Sequence, residues 1–186
     1  MNNKPIPYYN LSEILNLIIQ TYKEKGLDVP LKTKLMKILY YIQAAVLVET
    51  NNKYKAFNET FQAWHFGPFI YDLWSKIDYW DFWVTDREKS VQEYQKRLME
   101  TIDELSKNNP KNIANRETMD QVEKTQIETE VKNVILATIN VSRNELIIST
   151  HKDDPWKNIF SSKELKDISL DSIYEFYTKH KERLFR

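Results

Sequence analysis

Few residues in this sequence combine type and spacing in a way that could support catalysis. The densest group is His151, Asp153 and Asp154, one imidazole and two carboxylates that could face a divalent cation. A small metal-dependent hydrolase built on these residues is therefore one alternative function. Against it, capping of a helix that starts at Pro155 would already account for both carboxylates.

Other catalytic and cofactor-binding patterns lack a residue that they need. The chain has no cysteine, which removes thiolate catalysis, thiolate metal sites and disulfides. Its three histidines, His65, His151 and His180, do not form a helical ligand pair. Two isolated glycines, Gly26 and Gly67, cannot build a phosphate-binding loop. We therefore expect no metal and no cofactor.

A serine nucleophile is also poorly supported. Ser149 and Thr150 lie beside His151, but adjacent residues rarely present their side chains to each other. No flanking glycine relieves the strained turn that such a nucleophile requires. The sequence predicts that the protein is not an enzyme.

The net charge and the hydropathy of the chain limit the classes of partner that it can bind. The 27 Lys and Arg residues equal the 27 Asp and Glu residues, so the net field does not attract a phosphate backbone. A regulatory DNA-binding protein encoded by a phage is therefore a disfavoured alternative. Lys32, Lys34 and Lys37 are interpreted as a solvated helix face. Without an apolar run of roughly 20 residues or a secretion signal, we expect a cytoplasmic protein that does not bind membranes.

The elements that must position these residues are mainly helices. Leu11 to Tyr22 shows one apolar face, with a capping box at Asn10 and Glu13 and an end at Gly26. Pro30 is predicted in the first turn of the next helix, which is apolar nearly all round and should be the buried centre of the fold. A second proline, Pro68, is predicted to open another helix.

The second half of the chain contains further helix signals of the same kinds. A charged amphipathic helix within about 86–115 is interpreted as a variable peripheral arm, and it follows an aromatic cluster expected in the core. The apolar residues from Met119 to Ile139 predict a long helix. Ser142 is predicted to cap a short helix after it, and Asp154 to cap a helix that begins at Pro155. Ser169 is predicted to cap the last helix of the chain. The clustered aromatic residues are Tyr79, Trp80, Phe82 and Trp83.

These patterns predict an all-α, mainly helical, compact bundle that forms a single domain over residues 1–186. A small two-stranded β ribbon is expected between Lys55 and Trp64. No internal repeat or low-complexity linker divides the chain.

Three short stretches are more specific together than any of them alone. They are KLMKILYY at 34–41, FQAWHFGP at 61–68 and STHKDDPW at 149–156. In this order they resemble the Panacea domain family, whose SocA-like and phage-associated members carry a KLxKLLYY-type helix, an AWxxGP turn and a THxxxPW turn. The residues after Pro68 and the arm at 86–115 depart from the family pattern.

The resemblance implies a function that composition does not. Members of the family are antitoxins of two-gene, type II-like toxin–antitoxin modules, and the domain binds and neutralises a cognate toxin. Some SocA-like members are described as adaptors that present the toxin to a protease, so a protease partner and a homo-oligomer are left open. The resemblance places the motif and partner-binding residues at Trp64, His65, Gly67, Pro68, His151, Asp153, Asp154, Pro155 and Trp156.

Within the motifs, we interpret Trp64 and Trp156 as core residues that fix the two turns. His151 is predicted to bond across its turn and hold it against the Trp64 segment. Gly67 is expected to adopt backbone dihedrals that a β-carbon would forbid. The resemblance further implies that both turns border one groove.

Overall fold

Helices make up most of the chain in the computed structural model, which describes residues 4–77, 87–108 and 112–185. The predicted mainly helical fold is confirmed, with small sheets beside the helices. The aromatic cluster predicted at 79–83 lies outside the described residues. The helices are α1 (Leu11–Glu24), α2 (Lys32–Glu49), α3 (Tyr71–Ile77), α4 (Arg87–Lys107), α5 (Gln121–Thr138), α6 (Arg143–His151), α7 (Asp154–Lys157) and α8 (Leu170–Lys179), followed by a 3-10 helix at Lys181–Arg183.

Helix α2 runs through the centre of the molecule, as its sequence predicts. Every residue from Leu35 to Val48 is buried, because side chains on all sides of the helix are covered. It is surrounded by α5, α6, α8 and a β hairpin. Because α2 is covered on every side, its polar residues Lys37 and Gln43 also lie in the core.

The cap signals of α1 are confirmed, and the predicted start of α2 is wrong by two residues. Asn10 accepts from the Ser12 N–H, and the Glu13 carboxylate accepts from the Asn10 N–H at 2.8 Å. Pro30 precedes the extended N-cap residue Leu31 and does not lie in the first turn. Its carbonyl instead accepts a 2.8 Å hydrogen bond from the Tyr94 hydroxyl, which ties this loop to α4.

Two small sheets replace the predicted ribbon. Strand β1 (Ile6–Pro7) pairs in parallel with β2 (Tyr54–Lys55), while β3 (Gln62–Trp64) pairs antiparallel with both β4 (Gly67–Phe69) and β5 (Lys166–Asp167). Strand segments therefore occur at both ends of the predicted ribbon but do not pair with each other.

Pro68 lies in β4, so the prediction that it opens a helix is wrong; α3 begins at Tyr71. Pro68 stands opposite Ala63 in the register of the hairpin. Strand β4 is at the edge of its sheet, where a residue without an N–H is tolerated.

Helix α4 covers α1 and α3 with the apolar stripe that the sequence predicts. Tyr94, Leu98 and Ile102 are buried on this face. Because of these contacts, the described part of the charged segment packs on the body of the molecule.

Helices α6 and α8 follow their predicted cap signals. Helix α5 is more buried in its C-terminal half, and α6 has the predicted capping box, in which Ser142 accepts from the Glu145 N–H and the Glu145 carboxylate accepts from the Ser142 N–H. Ser169 caps α8 by accepting from the Ser172 N–H at 3.1 Å. Across the described ranges, no helix has the length and apolarity needed to cross a membrane.

Candidate partner-binding site

The first predicted turn is the tip of the β3–β4 hairpin. Trp64 and Gly67 face each other in the register, and His65 and Phe66 form the two-residue connection between them. Gly67 has φ +89, in the left-handed region that side chains with a β-carbon rarely adopt, as the sequence predicts. The glycine thus allows this sharp connection.

Gly67 is also required because other side chains approach it closely. A β-carbon at this position would lie 2.6 Å from Thr150 Oγ1 and 3.0 Å from Lys37 Nζ. Thr150 belongs to α6 and Lys37 to α2, so each of the three sequence motifs contributes one residue to this contact. The motifs that are separate in sequence meet at the backbone of Gly67.

Lys37 is fully buried, with 1% of its surface exposed, so its assignment to a solvated face is wrong. Its ammonium Nζ donates to the Pro68 carbonyl oxygen at 2.7 Å and thereby holds the hairpin against α2. Burial lowers the pKa of Lys37 well below its usual value. The sequence pattern misses this residue because lysine side chains near the start of a helix are ordinarily exposed.

The second predicted turn joins α6 to α7 and is fixed to the hairpin by Trp156. The indole Nε1 of Trp156 donates to the backbone carbonyl oxygen of Trp64 at 2.9 Å. Trp156 is 8% exposed, which confirms its interpretation as a core residue, whereas Trp64 is half-buried and packs against the core from outside it. The two turns are therefore in direct contact.

A stack of three rings continues from this bond. The His151 imidazole lies on the Trp156 indole with a 4.1 Å centroid distance and a 5° interplanar angle, and Phe160 stacks on Trp156 at 4.6 Å. The His65 ring contacts Phe160 edge-on at 5.4 Å. The stack thus connects the second turn to the tip of the hairpin.

His151 is held between the two turns. Burial lowers the pKa of its imidazole, the charge of Lys37 lowers it further, and the backbone of His65 opposes both effects. The link to the Trp64 segment runs instead through Trp156, on which the His151 ring stacks and whose indole bonds to the Trp64 carbonyl, while His151 Nε2 is buried without a hydrogen-bond partner among the described residues.

Asp153 does not cap α7 with its side chain, contrary to the prediction that capping explains both carboxylates. It is the N-cap residue, in place of Asp154, but its completely buried carboxylate is used elsewhere. Oδ2 accepts from the Tyr177 hydroxyl at 2.5 Å, and Oδ1 accepts from Arg183 Nε at 2.6 Å. Burial raises the pKa of Asp153, against the opposing effects of Tyr177 and Arg183.

The two tyrosines of the first motif pack on Tyr177, which binds this carboxylate. The rings of Tyr40 and Tyr41 pack edge-on against Tyr177 at 6.0 and 6.1 Å, and all three are buried. Burial and the Asp153 charge raise the pKa of each of the two motif tyrosines. Asp153 therefore links the second turn to α8 and to the 3-10 helix at Lys181–Arg183, and Tyr177 of α8 in turn packs against α2.

This arrangement offers little to a hydrolase. Asp153 is committed to Tyr177 and Arg183, whereas Asp154 is exposed, so the two carboxylates do not converge with His151. The described residues contain no group of three or more His, Cys, Asp or Glu side chains that could hold a metal ion. Thr150 Oγ1 donates within its own helix, to Leu146 O at 3.1 Å, and is not poised as a nucleophile.

A groove beside the hairpin tip borders the first of the two turns, but none of its described lining residues belongs to the second turn. It has a volume of about 450 Å³ and lies between the start of α2, the hairpin and α6. Two large apolar side chains on its wall are open to solvent, Phe66 at 51% and Ile148 at 55%. The residues that line the groove are Thr33, Phe66, Arg143, Asn144, Ile147 and Ile148.

The structure brings the predicted motif residues together, but they differ in solvent exposure. Gly67, Pro68, Asp153, Pro155 and Trp156 are buried. His151 and Trp64 are half-buried, while His65 and Asp154 are exposed. Most of these side chains contact one another, and the outer surface around them is formed by their neighbours.

Comparison with known families agrees with these motifs. The family described as antitoxin SocA-like, Panacea domain, matches residues 35–157, a span that includes α2 from Leu35 onward, the hairpin and the second turn. The chain belongs to this family and is antitoxin-like. Neither the search of curated proteins nor that of solved structures finds a match.

Proposed function

We propose that this protein is the antitoxin of a two-gene, type II-like toxin–antitoxin module and neutralises a cognate protein toxin by binding it directly. The observation that carries the proposal is membership of the SocA-like antitoxin family over residues 35–157. The three motifs on which the family resemblance rests lie within or across this range. The toxin is the expected product of a neighbouring gene.

The use of the polar motif residues supports a binding role. Lys37, Asp153 and Trp156 direct their functional groups to partners inside the molecule. They thereby give the hairpin and the second turn a fixed relative position. A surface that is rigid before binding loses less conformational entropy when a partner docks.

The alternative functions have less support. A hydrolase would require His151 and the two neighbouring aspartates to share a site, but Asp153 is enclosed with Tyr177 and Arg183. A DNA-binding protein would ordinarily carry excess positive charge, and here 27 basic residues balance 27 acidic ones.

Co-expression tests the proposal. The neighbouring open reading frame is expressed from an inducible promoter, with and without this protein, and growth is measured. We expect the neighbour to arrest growth alone, and we expect co-expression to restore growth and to yield a complex that co-purifies. A neighbour that is harmless alone, or that remains toxic beside the folded protein, contradicts the proposal.

The amount of toxin in rescued cells separates two routes of neutralisation. Direct binding, which we propose, leaves the toxin intact in a stoichiometric complex. Delivery to a protease, as described for SocA-like adaptors, lowers the toxin level while its messenger RNA remains. Quantitative immunoblotting of a tagged toxin distinguishes these outcomes.

A further inference from the structure

The groove beside the hairpin tip, defined above by Thr33, Phe66, Arg143, Asn144, Ile147 and Ile148, presents apolar side chains to solvent. Single exposed apolar residues are common on protein surfaces. Here Phe66 and Ile148 belong to different elements and still line the same groove, with more than half of each side chain exposed. Covering these side chains removes apolar surface from water, which favours association.

The charge of the groove is one-sided. Arg143 contributes a guanidinium to the lining, and the described residues that line the groove include no carboxylate. The acidic residue of α6, Glu145, accepts a 2.9 Å hydrogen bond from the Ser142 N–H within its capping box. Within the described ranges, the guanidinium of Arg143 donates to one residue, the neighbouring Asn144, whose neutral amide oxygen accepts at 3.3 Å. The groove therefore complements a ligand with an apolar group and a negative charge.

The wall that carries Phe66 is held in place by buried contacts. The hairpin is fixed by Lys37 Nζ on the Pro68 carbonyl and by Trp156 Nε1 on the Trp64 carbonyl, at 2.7 and 2.9 Å. The Trp64 ring contacts Phe66 edge-on at 5.5 Å. Phe66 is thus presented on a rigid support, as expected for an aromatic anchor of an interface.

We propose that this groove is the docking site for a segment of the toxin that places an apolar side chain between Phe66 and Ile148 and a carboxylate of Asp or Glu against Arg143. This inference rests on the proposed antitoxin function and adds to it the surface and the chemistry of the contacted segment. Guanidinium–carboxylate pairs are directional, so Arg143 sets the orientation of the segment while the apolar contact supplies most of the affinity.

Binding of the purified chain to the toxic product of the neighbouring gene tests the inference by calorimetry. Arg143→Glu and Ile148→Ser are compared with matched changes on exposed residues of α5, Lys132→Glu and Val122→Ser. We expect each groove variant to weaken binding by about tenfold or more and each α5 variant to change it by less than about threefold. Thermal unfolding verifies that all four variants fold.

A charge exchange identifies the carboxylate. In the toxin, Asp and Glu residues are replaced one at a time by Arg, and each variant is tested against Arg143→Glu. One position should restore binding to Arg143→Glu while it weakens binding to the wild-type chain. Failure of every position to do so overturns the assignment of a carboxylate to Arg143.

The outcomes separate this inference from the function on which it rests. If the wild-type chain neither binds nor neutralises the neighbouring product, the proposed function fails and the inference fails with it. If the wild-type chain binds and both groove variants bind equally well, the antitoxin function stands and the docking site is wrong. If the groove variants abolish a self-association measured by sedimentation and leave toxin binding unchanged, the occupant is a second copy of the chain, which also overturns the inference.

Discussion

The indole nitrogen of Trp156 donates a 2.9 Å hydrogen bond to the backbone carbonyl oxygen of Trp64, 92 residues earlier in the chain. This bond joins the turn between α6 and α7 to the tip of the β3–β4 hairpin. Both tryptophans belong to motifs by which the chain resembles its family. The bond therefore explains why two distant motifs are used together, since each turn holds the other.

Two substitutions of Trp156 remove this bond and should destabilise the fold to different extents. Trp156→Phe retains a ring against His151 and Phe160 but leaves the Trp64 carbonyl without its donor, so we expect a loss of about 1 kcal/mol. Trp156→Ala also removes the buried ring and should cost about 3 kcal/mol or more. Urea unfolding measures both. An unchanged midpoint for Trp156→Ala would show that the ring does not support the fold.

Gly67→Ala should be more damaging than the same change at the other glycine. Gly67 has φ +89 and a β-carbon there would meet Thr150 Oγ1 at 2.6 Å, whereas Gly26 has φ +67 and no atom within 4 Å of the added carbon. Gly26→Ala therefore incurs only backbone strain, about 1 kcal/mol. We expect Gly67→Ala to cost at least about 2 kcal/mol more, measured by thermal or urea unfolding. Equal costs would contradict the close approach of α6.

Asp153→Ala should weaken the C-terminal part of the molecule. The change removes the acceptor of the buried Tyr177 hydroxyl and of Nε on the partly exposed Arg183. We expect a loss of about 3 kcal/mol. The adjacent exposed residue provides the control, because Asp154→Ala should cost less than about 1 kcal/mol. The interpretation fails if the two variants have the same unfolding free energy.

Protonation of His151 should destabilise the folded state in acid. Burial holds the pKa of this imidazole below 6.5 in the folded state, while the unfolded chain has the ordinary value of about 6.5. The unfolded state therefore binds more protons as the pH falls through 6.5, and the contribution of neutral His151 to stability is lost. His151→Phe retains a ring on Trp156 and removes the titrating group.

Comparison of unfolding free energies at pH 7.5 and 5.5 tests this prediction. The wild-type protein should lose more stability between the two values than His151→Phe. Other groups titrate in both proteins, so the difference between the two losses reports the histidine. Equal losses would mean that His151 is not held neutral by its surroundings.

The sequence predicts the local features of the fold well. The capping boxes at Asn10 and Ser142 depend on residues three positions apart, and these signals are visible in a linear sequence. The buried centre of α2 is equally clear from its apolar residues. Pro68 was misassigned because proline suits both the first turn of a helix and the edge of a sheet, and only the pairing with β3 decides between them.

The candidate site depends on contacts that the sequence does not display. Asp153 finds its partners 24 and 30 residues away, in Tyr177 and Arg183, so its local resemblance to a helix cap is misleading. Lys37 is buried because the hairpin covers it, which a helical pattern cannot indicate. The groove at Phe66 and Ile148 requires the hairpin to lie beside α6, and that placement is a property of the tertiary structure.

Hydrogen exchange of the purified chain, with and without the product of the neighbouring toxic gene, tests the central claim most directly. The claim is that this protein neutralises a toxin by binding it at the surface beside the two joined turns. The account predicts a stoichiometric complex in which backbone amides of residues 62–69 and 143–151 become protected, while α5 near Val122 is unchanged. Absence of a complex, or protection confined to α5, would contradict it.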